Sequence, residues 1–196
     1  MEKRNALLAT LSRTSPVLFF LIIILNCILN PSYESFYLVI VYILECISNY
    51  TFKQISELLY NLFNTKSLPI LGIGSRPPNA KSCGFILDSF IAKSYGMPSG
   101  HSQAAWFVCT YLICKIIQNF KNIKNTKNIS IIDYIWLIVS CSIILAFAIY
   151  ISYSRVYIEG CHTIQQVIVG GLIGIGLGYI IYYFENDAIK LLSKIW

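Results

Sequence analysis

Two histidines, His101 and His162, are the only ones in the chain, and each stands in a short polar group beside a long apolar run. The first group reads Pro98-Ser99-Gly100-His101. The second runs from Ser154-Arg155 to Cys161-His162, and a third, Ser75-Arg76-Pro77-Pro78, carries another arginine. Two imidazoles and two guanidiniums suit phosphoryl chemistry. An arginine fork binds two phosphate oxygens at once and stays charged at any relevant pH. Ser99 and Gly100 would offer backbone N–H groups at a helix start, where partial positive charge receives an anion and the missing Cβ lets it come close. Imidazole titrates near neutrality, so one histidine can attack phosphorus while the other protonates the leaving oxygen. The sequence has no aspartate cluster for two-metal work, so the reading is hydrolysis with no metal and no cofactor. Taken singly, each group has a plainer role, a histidine as an interfacial cap or an arginine as a snorkelling anchor. Their joint position is what argues for a site.

That position depends on the elements that carry them. Of 196 residues, 56% are hydrophobic and 12% charged, with a mean hydropathy of +0.64, which marks an integral membrane protein. The expected fold class is all-α, a polytopic transmembrane helix bundle of about five to six spans. Apolar runs place spans at 16–29, 36–50, 102–117, 131–153 and 163–184. Alternating direction brings the end of the second, the start of the third, the end of the fourth and the start of the fifth to one face. Arg76, Ser99, Gly100, His101, Arg155 and His162 all fall there, at span ends where a buried charge costs less than at the bilayer centre.

Between the second and third spans, residues 51–97 form an extended loop. Its first part, 52–63, repeats Ile55, Leu58, Leu59, Leu62 and Phe63 at helical spacing, which suits an amphipathic helix lying on the membrane or packed on the bundle. The lysine-rich stretch 121–130 reads as a solvated loop. Glycines 170, 171, 174, 176 and 178 crowd the fifth span at spacings that let helices approach closely, a packing device rather than a phosphate loop. The net charge of +6 is dispersed, with no basic block for nucleic acid. Partners expected are a membrane lipid substrate and the bilayer. The seven cysteines show no CxxC spacing; Cys83 and Cys161 fall in loops on one face and could pair.

The three polar groups resemble the motifs of the type 2 phosphatidic acid phosphatase superfamily: a lysine then Arg-Pro, Pro-Ser-Gly-His, and Ser-Arg then His. The wording "GMPSGHSQAAWF" (96–107) and "SYSRVYIEGCHTIQQVIVGG" (152–171) is similar to its dolichyl-diphosphatase branch. The resemblance implies a single integral-membrane lipid phosphatase domain over 1–196, hydrolysing a polyprenyl diphosphate to the monophosphate in the endoplasmic reticulum, with the site facing the lumen. It implies His162 as nucleophile, His101 as acid, and Arg76, Arg155 and the Ser99 and Gly100 amides as holders of the phosphoryl oxygens. Phosphatidate or another lipid phosphate is the rival substrate, and an inactive lipid-binding relative the rival class.

Three positions depart from the family pattern. Pro69 stands where the first-motif lysine belongs, leaving Lys53, at the end of a span, and Lys66 as candidates. One extra residue separates Arg155 from His162, which Gly160 could absorb as a bulge. Gln166 replaces the aspartate one helical turn after the nucleophile; from i+4 its amide oxygen can accept from His162 Nδ1 and fix the tautomer. Glu159 is a substitute carboxylate in the neighbouring loop. Charge does not settle sidedness, because basic residues outside the motifs are evenly divided between the faces. Glycosylation sequons at Asn49 and Asn128 fall on opposite faces.

Overall fold

A computed structural model describes residues 2–78, 80, 95–126 and 128–195, without the side chains of 2–7 and 195. Its architecture is a bundle of five long helices: α1 (Glu2–Leu29), α2 (Tyr33–Leu62), α3 (Gly100–Thr126), α4 (Ile131–Tyr153) and α5 (Ile164–Ile195). Strands β1 (Ser67–Leu68) and β2 (Gly72–Ile73) pair antiparallel beyond α2. Local chemistry sets the breaks. Pro31 follows the end of α1, and Ser32 opens α2 with a reciprocal capping box to Ser35. Ser130 and Asp133 open α4 in the same way.

Helices run past the boundaries read from apolar runs. α2 continues through 52–62, so that stretch is the last three turns of a span rather than a separate amphipathic helix, and the long loop begins only after it. No Gly or Pro interrupts Tyr33–Leu62, so a helix already nucleated keeps adding one bond per residue. For the same reason α3 runs to Thr126 and takes in part of the lysine-rich stretch expected as loop. α1, α2, α4 and α5 are long and apolar enough to cross a membrane; α4 carries the π turn that follows it in the same apolar stretch. α3 is less apolar because it is the inner helix: Ser102 and Gln103 are fully buried against neighbours, not lipid.

The closest packing joins α3 to α5. On α5, Gly170, Gly174 and Gly178 recur every four residues; on α3's side, Ser99, Gln103 and Phe107 do the same. A Cβ at Gly170 would lie 2.5 Å from the Ser99 carbonyl oxygen and one at Gly178 2.6 Å from that of Phe107, with Gly174 against Gln103 between them. Backbone meets backbone over two turns, the small-residue contact that holds helices together where water cannot. α1 is seated by two hydroxyls: Tyr150 of α4 donates to Leu8 O at 2.6 Å, and Tyr42 of α2 to Pro16 O at 2.7 Å. At the opposite end of the bundle, Glu185 of α5 is buried, accepting from Tyr111 at 2.7 Å and Lys115 at 3.1 Å. That pairing meets the demand that a charge inside the apolar slab have a partner.

Candidate active site

The site is built at the end of the bundle where α2 finishes and α3 and α5 begin. α4 passes there into a π turn (Ser154–Ile158), in which Glu159 N–H donates to Ser154 O at 2.9 Å. Gly160 follows at φ +62°, a left-handed conformation that glycine adopts without a Cβ penalty. The extra residue before His162 is thus taken up by a wider helical turn and one left-handed glycine, not by a bulge at Gly160 alone. Cys161 and His162 N–H then both return to Arg155 O, at 3.0 and 3.3 Å. Cys161 is disulfide-bonded; Cys83, the partner suggested by sequence, lies outside the described residues.

His162, only 3% exposed, is held from both sides. Its Nδ1 lies 3.0 Å from Gln166 Oε1, and its Nε2 lies 3.4 Å from an Arg76 guanidinium nitrogen. The Gln166 amide is oriented by its other end, because Nε2 donates to Ile73 O at 2.8 Å and Ser75 O at 2.7 Å, carbonyls that can only accept. Oε1 must therefore accept the Nδ1 proton. Arg76 can only donate, so Nε2 carries the lone pair. Burial first, then the charges of Arg76 and Arg155, push His162 well below its ordinary 6.5, which keeps the ring neutral. Arg76, lowered to about 10 by burial and Arg155, stays charged.

Gln166 also joins the three motifs. Its side chain grips 73–75, just ahead of Arg76, and its carbonyl accepts the Ser99 N–H at 3.0 Å. Ser99 is fully buried, and among the described residues its Oγ has no hydrogen-bond partner. A buried hydroxyl left unpaired costs about 1–3 kcal/mol, so it marks a place that a polar ligand can complete. Gly100 departs from the expected reason for its presence: an added Cβ would fall 2.7 Å from Asn49 Oδ1, so its lack of a side chain lets α2 approach α3. Asn49 in turn donates to Gln103 Oε1 at 2.8 Å, making it a packing residue and a poor glycosylation site.

Of the two candidate lysines, Lys53 on α2 lies within electrostatic reach of Arg76 and Arg155, whereas Lys66 is exposed in the turn before β1. His101 is within reach of Arg155, Lys53 and Arg76 as well. Its Nε2 lies 3.1 Å from the carbonyl oxygen of Arg13, on α1. Glu159 does not serve His162. Its carboxylate accepts from an Arg155 guanidinium nitrogen at 3.0 Å on each oxygen, and from Arg13 Nε at 2.7 Å. Arg13 carried no motif signal; the one trace of the Glu159 contact in the sequence is its i+4 spacing from Arg155.

Fold and site together describe a membrane-embedded helical bundle with a cationic, two-histidine centre at one end. The chain belongs to the PAP2 superfamily, whose family model matches residues 35–190. Among curated proteins it is similar to Dolichyldiphosphatase 1 of Homo sapiens, 38% identical over 84 residues, which are 43% of this chain and 34% of that protein. Dolichyldiphosphatase of Saccharomyces cerevisiae is 33% identical over 105 residues, 54% of this chain and 39% of the yeast protein. A Dictyostelium discoideum Dolichyldiphosphatase 1 is 36% identical over 90 residues, 46% of this chain and 35% of its own length. The matches thus span about a third of the length of these relatives. No solved structure matches the chain.

Proposed function

We propose that the protein is a lipid phosphatase that hydrolyses a polyprenyl (dolichyl) diphosphate to the monophosphate and inorganic phosphate, through a phosphohistidine on His162 and without a metal. The observation that carries this reading is the setting of His162, with Nδ1–H committed to Gln166 and the Nε2 lone pair turned toward Arg76. Nε2 attacks the terminal phosphorus and forms an N–P bond. The bond from phosphorus to the bridging oxygen breaks, its electron pair stays on that oxygen, and His101, made cationic by a proton taken up with the anionic diphosphate, supplies the proton with which the lipid monophosphate leaves. Water then attacks phosphorus, giving its proton to His101 as the N–P bond breaks, and inorganic phosphate departs. Arg76, Arg155, Lys53, the Ser99 hydroxyl and the Gly100 N–H hold the phosphoryl oxygens as charge spreads in the transition state, while the Ser99 N–H stays bonded to Gln166 O. These side-chain cations supply the positive charge.

The choice of a polyprenyl diphosphate rests on the names of the relatives, and with it a place in the endoplasmic reticulum membrane; a site facing the lumen rests on the family resemblance of the motifs. The test is phosphate release by the detergent-purified protein, with EDTA present, from dolichyl diphosphate and phosphatidate in parallel and with His162→Ala as the blank. Release from the diphosphate alone, unaffected by EDTA and absent in the variant, is the expected result. Release that survives His162→Ala overturns the nucleophile; release from neither lipid makes the chain a lipid-binding relative.

A further inference from the structure

α1 lies outside the stretch matched by the family model, which begins at residue 35, yet one of its residues reaches the site in two ways. The Arg13 side chain donates from Nε to Glu159 Oε2 at 2.7 Å, and its main-chain carbonyl lies 3.1 Å from His101 Nε2. The Glu159 carboxyl is fully buried, and besides Arg13 it is met by Arg155 on both oxygens and by Ser154 Oγ at 3.2 Å. The helix that brings Arg13 there is fixed on either side by the Tyr150 and Tyr42 hydroxyls, with Ser12 and Ser15 fully buried between them. So Arg155, through Glu159, and His101 are both tied to α1.

Resting on the reading above that this site transfers phosphate, we propose that Arg13 and Glu159 are positioning residues of the phosphate site. Glu159 aims the Arg155 guanidinium, and Arg13 keeps Glu159 from cancelling it. One carboxylate facing one guanidinium makes a neutral pair that has little left for an anionic substrate. Among the described residues, one carboxylate shared by two guanidiniums leaves a net positive charge, so Arg155 is oriented and still attracts phosphate. The Arg13 carbonyl adds a second constraint. Being only an acceptor, it fixes the proton on His101 Nε2 and leaves Nδ1 as the nitrogen that exchanges protons with the substrate.

Two features separate this role from a merely structural one. Arg13 acts through Glu159, so its removal has little effect once the carboxylate is neutral. It meets Glu159 through one nitrogen, Nε, so a lysine ammonium can make the same contact. The experiment uses the full chain in detergent and compares wild type, Arg13→Ala, Arg13→Lys, Glu159→Gln and the Arg13→Ala/Glu159→Gln double variant. Each is measured for KM and kcat on dolichyl diphosphate and for orthovanadate affinity by thermal shift. Arg13→Ala is expected to raise KM and the vanadate Kd by about tenfold with Glu159 present, and by less than about twofold in the Glu159→Gln background, the non-additivity of residues in one chain of contact. Arg13→Lys stays within about threefold of wild type for the vanadate Kd. The same factor in both backgrounds, or wild-type values in Arg13→Ala, overturns the proposal. Wild-type protein that binds vanadate but releases no phosphate overturns the phosphatase reading alone, and the vanadate comparison still decides the role of Arg13. Wild-type protein that does not bind vanadate overturns both.

Discussion

Gln166 does what an aspartate could not. Its oxygen accepts the His162 Nδ1 proton while its nitrogen donates to Ile73 O and Ser75 O, so one amide fixes the His162 tautomer and holds the strand that leads to Arg76. A carboxylate has no donor, and in Gln166→Glu a charged oxygen would face two carbonyl oxygens. That variant is expected to lose about 10²-fold or more in kcat, the order of a reacting group misplaced by about 1 Å; activity near wild type would show that orientation from 73–75 is dispensable. Arg155→Lys exchanges a fork for a point charge and is expected to cost about 10²–10³ in kcat/KM, as loss of a transition-state donor does. The pH dependence follows from the lowered His162. Its ring stays neutral below the ordinary 6.5, so the acid limb of kcat/KM has its midpoint below that value. Arg76→Gln removes one of the charges that hold it down, and the midpoint moves up toward 6.5; a limb that does not move excludes Arg76 as a cause. Unfolded chain protonates this histidine more readily than folded chain, so stability also falls as pH drops below 6.5.

At the element scale, the site depends on how closely α3 and α5 approach. The Ser99 N–H reaches Gln166 O only because Gly170 and Gly174 put the two backbones in contact. In Gly174→Ala the new methyl would meet the Gln103 carbonyl and the Phe107 amide, both backbone, so neither can step aside. Its thermal stability in detergent is expected to fall, by roughly 1–3 kcal/mol as for overpacking elsewhere, and activity with it. Gly176→Ala meets nothing within 4 Å and replaces a poor helix former by a good one. It is expected to be neutral or stabilising; equal losses in both variants would refute the contact. Periodicity made the glycine face of the fifth span legible, and motif spacing brought His101, Arg76, Arg155 and His162 to one end. Helix ends were less legible, because hydropathy reports where lipid is and not where hydrogen bonding stops: α2 and α3 continue through polar residues with nothing to break them. Arg13 was invisible for a further reason. Its partner, Glu159, is 146 residues away, and no spacing rule connects them.

For the whole molecule, the question is which way the site faces. The helices order the chain so that α1 begins, α2 ends, α3 begins, α4 ends and α5 begins at the site, while the α3–α4 connection and the end of α5 lie at the other face. Basic residues do not decide orientation, and the structure removes more of them from the count: Arg13 is committed to Glu159, and Lys115 to Glu185. Glycosylation can decide it, since the two sequons no longer carry equal weight. Asn49 is half-buried and bonded to Gln103, so it stays unmodified on either side. Asn128 is exposed in the α3–α4 connection, a strong acceptor if that connection is lumenal. With the site facing the lumen, Asn128 is cytosolic, and the protein from a glycosylating host shows no mobility shift on glycosidase treatment. A control sequon placed in the exposed turn at Asn64–Ser67, on the site's face, is expected to be glycosylated in the same host. A shift that is lost in Asn128→Gln reverses the orientation, and the proposed phosphatase centre would then face the cytosol.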